Sequence, residues 1–383
     1  MDYLLTEEQK MIKDLCRQVA VEKIAPIAAE YDEKEEFPWP IVKIMAESDI
    51  FGIYIPEDCG GMGGGVFDLA IATEALSWGC GGISLAFAAT ALGTFPIILF
   101  GTDEQKKKYL PKIAKGTIAS FALTEAEAGS DAGAIKTTAV KDGDHYILNG
   151  TKQWITNAGD SDIYTVVAMT DKTKGARGAT AFIVEKDTKG VEFGKKEKKL
   201  GIRGSSTREV IFTDCRIPRE NVLGREGMGF IVAMKTFDYS RPGVAAQAVG
   251  IAQRALDEAV KYASQRKQFG QAISSFQGIQ FMLADMAIQT EAARAVVYRA
   301  ARIIDSGCKD ISRISAIAKT FASDVAMKVT TDAVQVFGGY GYMREYPVEK
   351  LMRDAKITQI YEGTNQIQRS IIAGNLIKEL KKK

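Results

Sequence analysis

Residues 137–148 read TTAVKDGDHYIL. Thr137 to Lys141 and His145 to Leu148 are short β-branched and aromatic runs, and Asp142-Gly143 between them signals a hairpin with a primed turn. On both sides of this region the apolar residues recur with the helical period instead. That change of period predicts an α+β, multi-domain chain: an N-terminal helical domain over 1–115, a middle antiparallel β-barrel domain over 116–225, and a C-terminal four-helix-bundle domain over 226–383.

Working outward, Asn149-Gly150 marks a second turn. Ile163 to Ala168, Thr180 to Val184 and Val210 to Phe212 are further strand-like runs with glycine-containing loops between them. Lys195 to Lys199 is a charge run that reads as a solvated loop. Upstream, Thr6 opens a capped amphipathic helix carrying Met11, Leu15, Val19 and Ile24. Pro38 and Pro40 punctuate the helices around Trp39. The Gly60 to Gly65 cluster forms a loop before Val66 to Leu76, and 83–99 is apolar enough for a buried helix. Downstream, Val249, Ala252, Leu256, Val260 and Ala263 share one helix face, as do Ile288, Ala292, Ala295 and Val296. The many interior alanines point to closely packed helices.

Composition excludes several chemistries. The chain has 383 residues, 46% of them hydrophobic and 26% charged. With 50 Lys+Arg against 48 Asp+Glu the net charge is +2, and no basic stripe marks a nucleic-acid binder. The Lys381-Lys382-Lys383 tail reads as a solvated end. No apolar run suits a membrane span, and Met1 to Lys10 lacks the pattern of a secretion signal, so a cytoplasmic location is expected. Five scattered cysteines (Cys16, Cys59, Cys80, Cys215, Cys308) form no CxxC pair, and His145 is the single histidine. Disulfide frameworks, metal centres and histidine-based hydrolysis are therefore not expected. Carboxylates and an organic cofactor remain.

Glu362, in Tyr361-Glu362-Gly363-Thr364, is flanked by Ile357, Ile360 and Ile367. It reads as a loop or cap residue, or as a desolvated carboxyl whose raised pKa makes it a better base. Phe337-Gly338-Gly339-Tyr340-Gly341-Tyr342 reads as a helix C-cap and turn, or as backbone small enough to approach a bulky cofactor. It is no dinucleotide fingerprint, because GxGxxG after a strand is missing. Thr124 to Asp131 is a capped polar loop, or a set of hydroxyls and N–H groups for a phosphate or ring edge. Trp154 reads as core or as a cofactor wall, with the Thr156 hydroxyl beside it. Arg266 closes a helix that begins near Val244, where it answers the helix dipole or clamps a diphosphate.

Six stretches in order, FALTEAEAGSD (121–131), WIT (154–156), RKQFG (266–270), QVFGGYGY (335–342), EYPVEKLMRDAKI (345–357) and QIYEGTNQIQR (359–369), resemble the acyl-CoA dehydrogenases, with the short- and medium-chain members nearest. The resemblance implies FAD and oxidation of an acyl-CoA thioester to a 2-enoyl-CoA. Glu362 matches the family's base and takes the α-proton, while flavin N5 accepts the β-hydride. The Glu362 backbone N–H helps to hold the thioester oxygen. Flavin contacts carry over onto Phe121, Leu123, Thr124, Ser130, Trp154, Thr156, Thr364 and Gln366. Arg266, Phe269, Gln277, Gln335, Gly338 and Gly339 match positions that reach the FAD of a neighbouring subunit, which implies a homotetramer. Ser130, Asp238, Arg241 and Gly363 match substrate-contacting or site-supporting positions. Electron-transfer flavoprotein is the implied acceptor.

The sequence departs from the family at Ala126 and Glu127, where EPGAGSD is usual, and at Phe121, where tyrosine is frequent. Tyr239 and Ser240 supply no carboxylate near Arg241, so Glu362 is the one matched base. In the family the helix matching 83–93 lines the acyl pocket. Here it carries Ala86, Phe87, Ala88, Ala89, Ala91 and Gly93, which leave volume for a short, branched or alicyclic group such as cyclohexane-carboxyl-CoA. Alternatives are a medium-chain substrate, the enoyl-CoA reductase direction, and a non-catalytic flavin-binding helical scaffold.

Overall fold

A computed structural model describes residues 3–308 and 310–381. Lys382 and Lys383 of the basic tail, and Met1 and Asp2 of the chain start, lie outside the described residues. Helix α1 (Glu7–Val19) opens on Thr6 as expected: the Thr6 hydroxyl accepts the Gln9 N–H at 3.2 Å and the Gln9 side chain accepts the Thr6 N–H at 3.1 Å. Helices α2 (Ala28–Lys34) and α3 (Trp39–Glu47) follow, the latter starting right after Pro38. Helices α4 (Val66–Gly79) and α5 (Leu85–Phe100) are apolar nearly all round and buried, and α6 (Asp103–Ala114) closes the region.

Strands β1 (Ala119–Ala122), β2 (Thr138–Asp142), β3 (His145–Thr156), β4 (Ile163–Met169), β5 (Ala179–Glu185), β6 (Val191–Phe193), β7 (Thr207–Pro218) and β8 (Val222–Leu223) form one sheet. Its order is β6-β7-β3-β2-β4-β5-β8, with β1 paired to β4. Two points differ from the expected antiparallel barrel. The β1–β4 and β2–β4 pairings are parallel. Among the described residues the ladder is an open path with β6 and β8 at its ends, since no pairing joins them. The hairpin is present with Asp142 opposite His145, so the two-residue turn is Gly143-Asp144, one position later than expected; Gly143 supplies the φ of +58°. Asn149-Gly150 is not a turn but a bulge within β3, where the register against β7 slips between Leu148 and Gly150. Gly150 is required there: its φ is +145°, and a Cβ would lie 2.6 Å from the Thr137 hydroxyl. The Lys195–Lys199 run is only partly solvated, because Lys199 Nζ donates to Ser205 O at 2.7 Å and burial pushes its pKa down to about 8.

The C-terminal region holds α7 (Gly229–Gln265), a minor hairpin of β9 (Lys267–Gln268) and β10 (Gln271–Ala272), α8 (Gln277–Asp305), α9 (Ser312–Phe337), α10 (Pro347–Thr358) and α11 (Asn365–Leu380). Among the described residues it thus has three long helices and two shorter ones rather than a bundle of four. The helix ending at Arg266 begins at Gly229, not near Val244, and carries Pro242 inside it. The expected apolar face of α7 holds except at Val260, and that of α8 is rotated. In its C-terminal half α7 buries Val249, Ala252, Ala255, Ala259 and Ala263 completely, with Leu256 packed against the core, while Val260 is 47% exposed. On α8, Ala293 and Val297 are buried, while Ile288 is 63% exposed and Ala292 and Ala295 also face out. Alanine made the buried face hard to distinguish, because it tolerates both sides of a helix. No helix among the described residues is long and apolar enough to cross a membrane.

Close approach explains the small residues between layers. A Cβ on Gly250 of α7 would lie 2.3 Å from Glu74 O of α4, and one on Gly93 of α5 would lie 2.7 Å from Ser120 N of β1. Helix α10 ties the regions together with charge. Arg353 pairs with Asp32 at 2.7 Å and donates to Leu200 O at 3.1 Å. Asp354 pairs with Lys350 at 2.6 Å and accepts the Ile202 N–H. The loop that α10 delivers next contains Glu362.

Candidate active site

A cavity of about 860 Å³, including its open mouth, lies between α4, α5, α7, the ends of β1 and β3, and the Tyr361–Glu362 loop. Phe121, Leu123, Thr124, Trp154, Thr156 and Glu362, all singled out in the sequence, line it together.

Glu362 is half-buried and holds a φ of +51°, with Gly363 at +91°. Two successive left-handed residues make a sharp corner, which Gly363 alone of the two adopts freely. The surroundings hold it. Glu362 O accepts from Gln368 Nε2 at 3.0 Å and from Arg241 Nε at 3.4 Å, and Gly363 O accepts from Lys319 Nζ at 2.8 Å and Gln368 Nε2 at 3.1 Å. Thr364 caps α11 by accepting the Ile367 N–H at 3.3 Å. Ser240 donates its hydroxyl to the Glu362 carboxylate. Burial pushes the Glu362 pKa up to about 7 against the opposing pull of Ser240, Arg241 and Lys319. Glu362 does lie in a loop, but its side chain turns into the molecule, where Ser240 of α7 bonds it.

Asp238 and Arg241 support the loop from α7, paired at 3.1 Å, and do not line the cavity. Burial raises the Asp238 pKa. Tyr361 donates to Gln247, whose amide donates to Gly81 O at 2.8 Å. Gln247, Ser240, Gln368 and Lys319 were not identified from sequence as site residues. Lys319 carried a signal, a lone lysine among the apolar residues of 314–322.

The wall formed by β1 and β3 fits a planar heterocycle. Trp154 stands at a bulge with φ +58°, is 55% exposed and lines the cavity, so it is not core. The Thr124 and Thr156 hydroxyls have no protein partner among the described residues, while Leu123 and Phe121 give an apolar strip between. Behind this wall Lys152, fully buried, donates to Glu125 at 2.7 Å and to Leu123 O at 2.9 Å. Glu125 also accepts the Lys136 and Thr137 N–H groups. Glu125, then, is a buried anchor within the loop read as polar.

Other predicted residues lie elsewhere. Ser130 and Gln366 are exposed and do not line the cavity. Arg266, Phe269, Gln277, Gln335, Gly338 and Gly339 do not line this cavity and lie at the C-terminal ends of α7 and α9 and the start of α8. There Tyr262 stacks on Phe337 at 4.0 Å, Arg266 lies 5.3 Å over the Tyr340 ring, and Phe269 is 93% exposed. Of the small residues on α5, Ala88, Ala89 and Ala91 reach the cavity. Ala86 and Phe87 are buried in packing, and Gly93 is needed against β1.

Three family models match in order: acyl-CoA dehydrogenase N-terminal domain over residues 6–117, middle domain over 120–215 and C-terminal domain over 227–377. The short-chain-specific acyl-CoA dehydrogenase of Clostridium acetobutylicum is 49% identical over 380 residues, 99% of this chain and 100% of the relative. The structure of butyryl-CoA dehydrogenase from Megasphaera elsdenii superposes with a TM-score of 0.96 at 48% identity, covering 98% and 100% of the two chains. A chain in a structure of the electron transferring flavoprotein of Acidaminococcus fermentans gives a TM-score of 0.96 at 52% identity over 98% and 99%.

Proposed function

Because this chain belongs to the acyl-CoA dehydrogenase family, we propose that it dehydrogenates a short, straight-chain acyl-CoA thioester of the butyryl type, with Glu362 as the base. The protein is an oxidoreductase and its cofactor is FAD. The observation that carries the assignment of the base is the half-buried Glu362 carboxyl, with its raised pKa, in one cavity with the Trp154–Thr156 wall.

Phe121, Leu123, Thr124, Trp154 and Thr156 would hold the flavin ring. Bound FAD supplies the acceptor for the two electrons that leave with the β-hydrogen. Glu362 removes the α-proton, and a pKa of about 7 matches that task near neutral pH. Ser240 orients the carboxyl, Arg241 holds the carbonyl of the same residue, and Leu69, Leu92 and Phe95 of α4 and α5 give the cavity apolar walls that limit the water around it.

The substrate proposal rests on two supports. Relatives nearly half identical to this chain are named for short-chain and butyryl substrates. Leu69, Leu92 and Phe95 share the acyl end of the cavity with Ala88, Ala89 and Ala91, so bulk offsets the alanines. The expected branched or alicyclic group loses part of its argument with Ala86, Phe87 and Gly93, and no relative reported above points to one.

The exposed Ile288, Val260 and Phe269, together with the cluster around Arg266 and Gly338, support a homotetramer in which that cluster reaches a neighbour's FAD. Electron-transfer flavoprotein is the proposed acceptor. Anaerobic flavin bleaching with butyryl-, hexanoyl-, octanoyl-, isobutyryl- and cyclohexane-carboxyl-CoA tests the reading. Butyryl-CoA should reduce the flavin fastest. Fastest bleaching by octanoyl-CoA would reassign the enzyme to medium chains, and no bleaching by any thioester would make it a scaffold.

A further inference from the structure

One buried cation beside the base has been given no role in the reaction. Lys319 lies on α9, is fully buried, and forms no ion pair among the described residues. Its ammonium donates to Gly363 O at 2.8 Å and to Asn365 Oδ1 at 2.9 Å. Burying a lysine without a carboxylate partner is costly, so an amino group retained there calls for a compensating interaction. The two acceptors point to one. Gly363 follows the base directly, and Asn365 begins α11 just beyond the corner. Asn365 is itself fixed by Ser323 at 2.9 Å and Asp324 at 2.8 Å.

We propose that Lys319 is a positioning residue for Glu362: it pins the peptide after the base from behind, and its charge favours the ionised carboxylate. This rests on reading Glu362 as the base. The charged groups facing the loop are Arg241 and Asp238 from α7, Lys319 and Asp324 from α9, and Arg369 from α11. Asp238 is committed to Arg241 at 3.1 Å and Asp324 to Arg369 at 2.7 Å, which leaves Lys319 as the cation facing Glu362 without its own anion. Burial moves the two groups toward each other, Glu362 up and Lys319 down, both to about 7. Groups so placed titrate as a pair, each charge stabilising the other.

The test uses the FAD-loaded enzyme and the variants Lys319→Gln, which keeps a donor without charge, Lys319→Met, which removes both, and Lys319→Arg. Two quantities are read against pH: the flavin reduction rate with saturating butyryl-CoA, and the infrared carboxyl band that Glu362→Gln abolishes. In Lys319→Gln and Lys319→Met both the acid limb and the band should move up by about one pH unit, as expected for losing a nearby opposite charge. That shift reads as reduction about tenfold slower below the limb, with KM and flavin content unchanged. Lys319→Arg should restore the wild-type profile. A limb and band that stay in place, with any loss uniform across pH, would overturn the proposal. If Lys319→Met does not fold, Lys319→Gln decides. Full flavin reduction by Glu362→Gln would instead overturn the base itself, and the band shift, which needs no turnover, still tests the pairing.

Discussion

Ser240 on α7 donates its hydroxyl to the Glu362 carboxylate, joining residues 122 positions apart. A hydroxyl donating to a carboxylate stabilises the ionised form, so it opposes the upward push of burial. Ser240→Ala should therefore move the acid limb of flavin reduction to higher pH, with the rate well above the limb changed little. Stability should fall by only about 1 kcal/mol, the usual worth of one hydrogen bond. Stopped-flow reduction at a series of pH values gives the answer, and an unmoved limb would show that this contact does not tune the base.

Glu362→Gln keeps the shape and removes the basicity. Flavin content and thioester binding should persist while reduction slows by ~10² or more. The same variant has a stability signature. The folded pKa of about 7 exceeds the ordinary glutamate value of 4.5, so the native state holds a proton that the unfolded chain has lost between those values. Stability of the wild type therefore falls as pH rises from about 4.5 to about 7 and stays lowered above. Glu362→Gln should melt higher than wild type at pH 8, with the gap closing toward pH 4. Calorimetry of the two holoenzymes checks the sign, and a gap that widens in acid would contradict it.

Lys152 and Glu125 brace from behind the wall proposed to hold the flavin. Removing one partner of a buried pair leaves the other charge uncompensated, at a cost of about 3–5 kcal/mol. Lys152→Met also frees Leu123 O, next to Thr124. The expected outcome is a lower melting temperature together with faster FAD loss on dilution. Unchanged FAD retention in a destabilised variant would mean that the pair serves the fold and not the wall.

How much was legible in the chain varied with the range of the interaction. Thr6 and Gln9 cap α1 through contacts three residues apart, and the Asp142–His145 hairpin closes within four; both were readable because their partners sit beside them. Asn149-Gly150 carries the same local turn signal yet sits in a bulge, because Thr137 and β7 impose a pairing that the dipeptide cannot reveal. Val260 and Ile288 were placed on the wrong faces for a related reason. Alanine-rich helices present several plausible stripes, and only packing selects one.

The same division runs through the site. Ordered short motifs sufficed to indicate the family and to mark Glu362, Trp154 and Thr156, which the structure brings into one cavity. The order of helical, β and helical regions was likewise written in the period of the apolar residues. What the one-dimensional chain left undetermined was the setting that suits Glu362 to the proposed role of base. Burial raises the pKa of a carboxyl and a donor restrains the rise; here Ser240 donates to the Glu362 carboxyl, while Arg241, Lys319 and Gln368 hold the Glu362 and Gly363 carbonyls, and these groups arrive from three helices. Desolvation and hydrogen bonding act through space, so the tertiary structure alone could assign them.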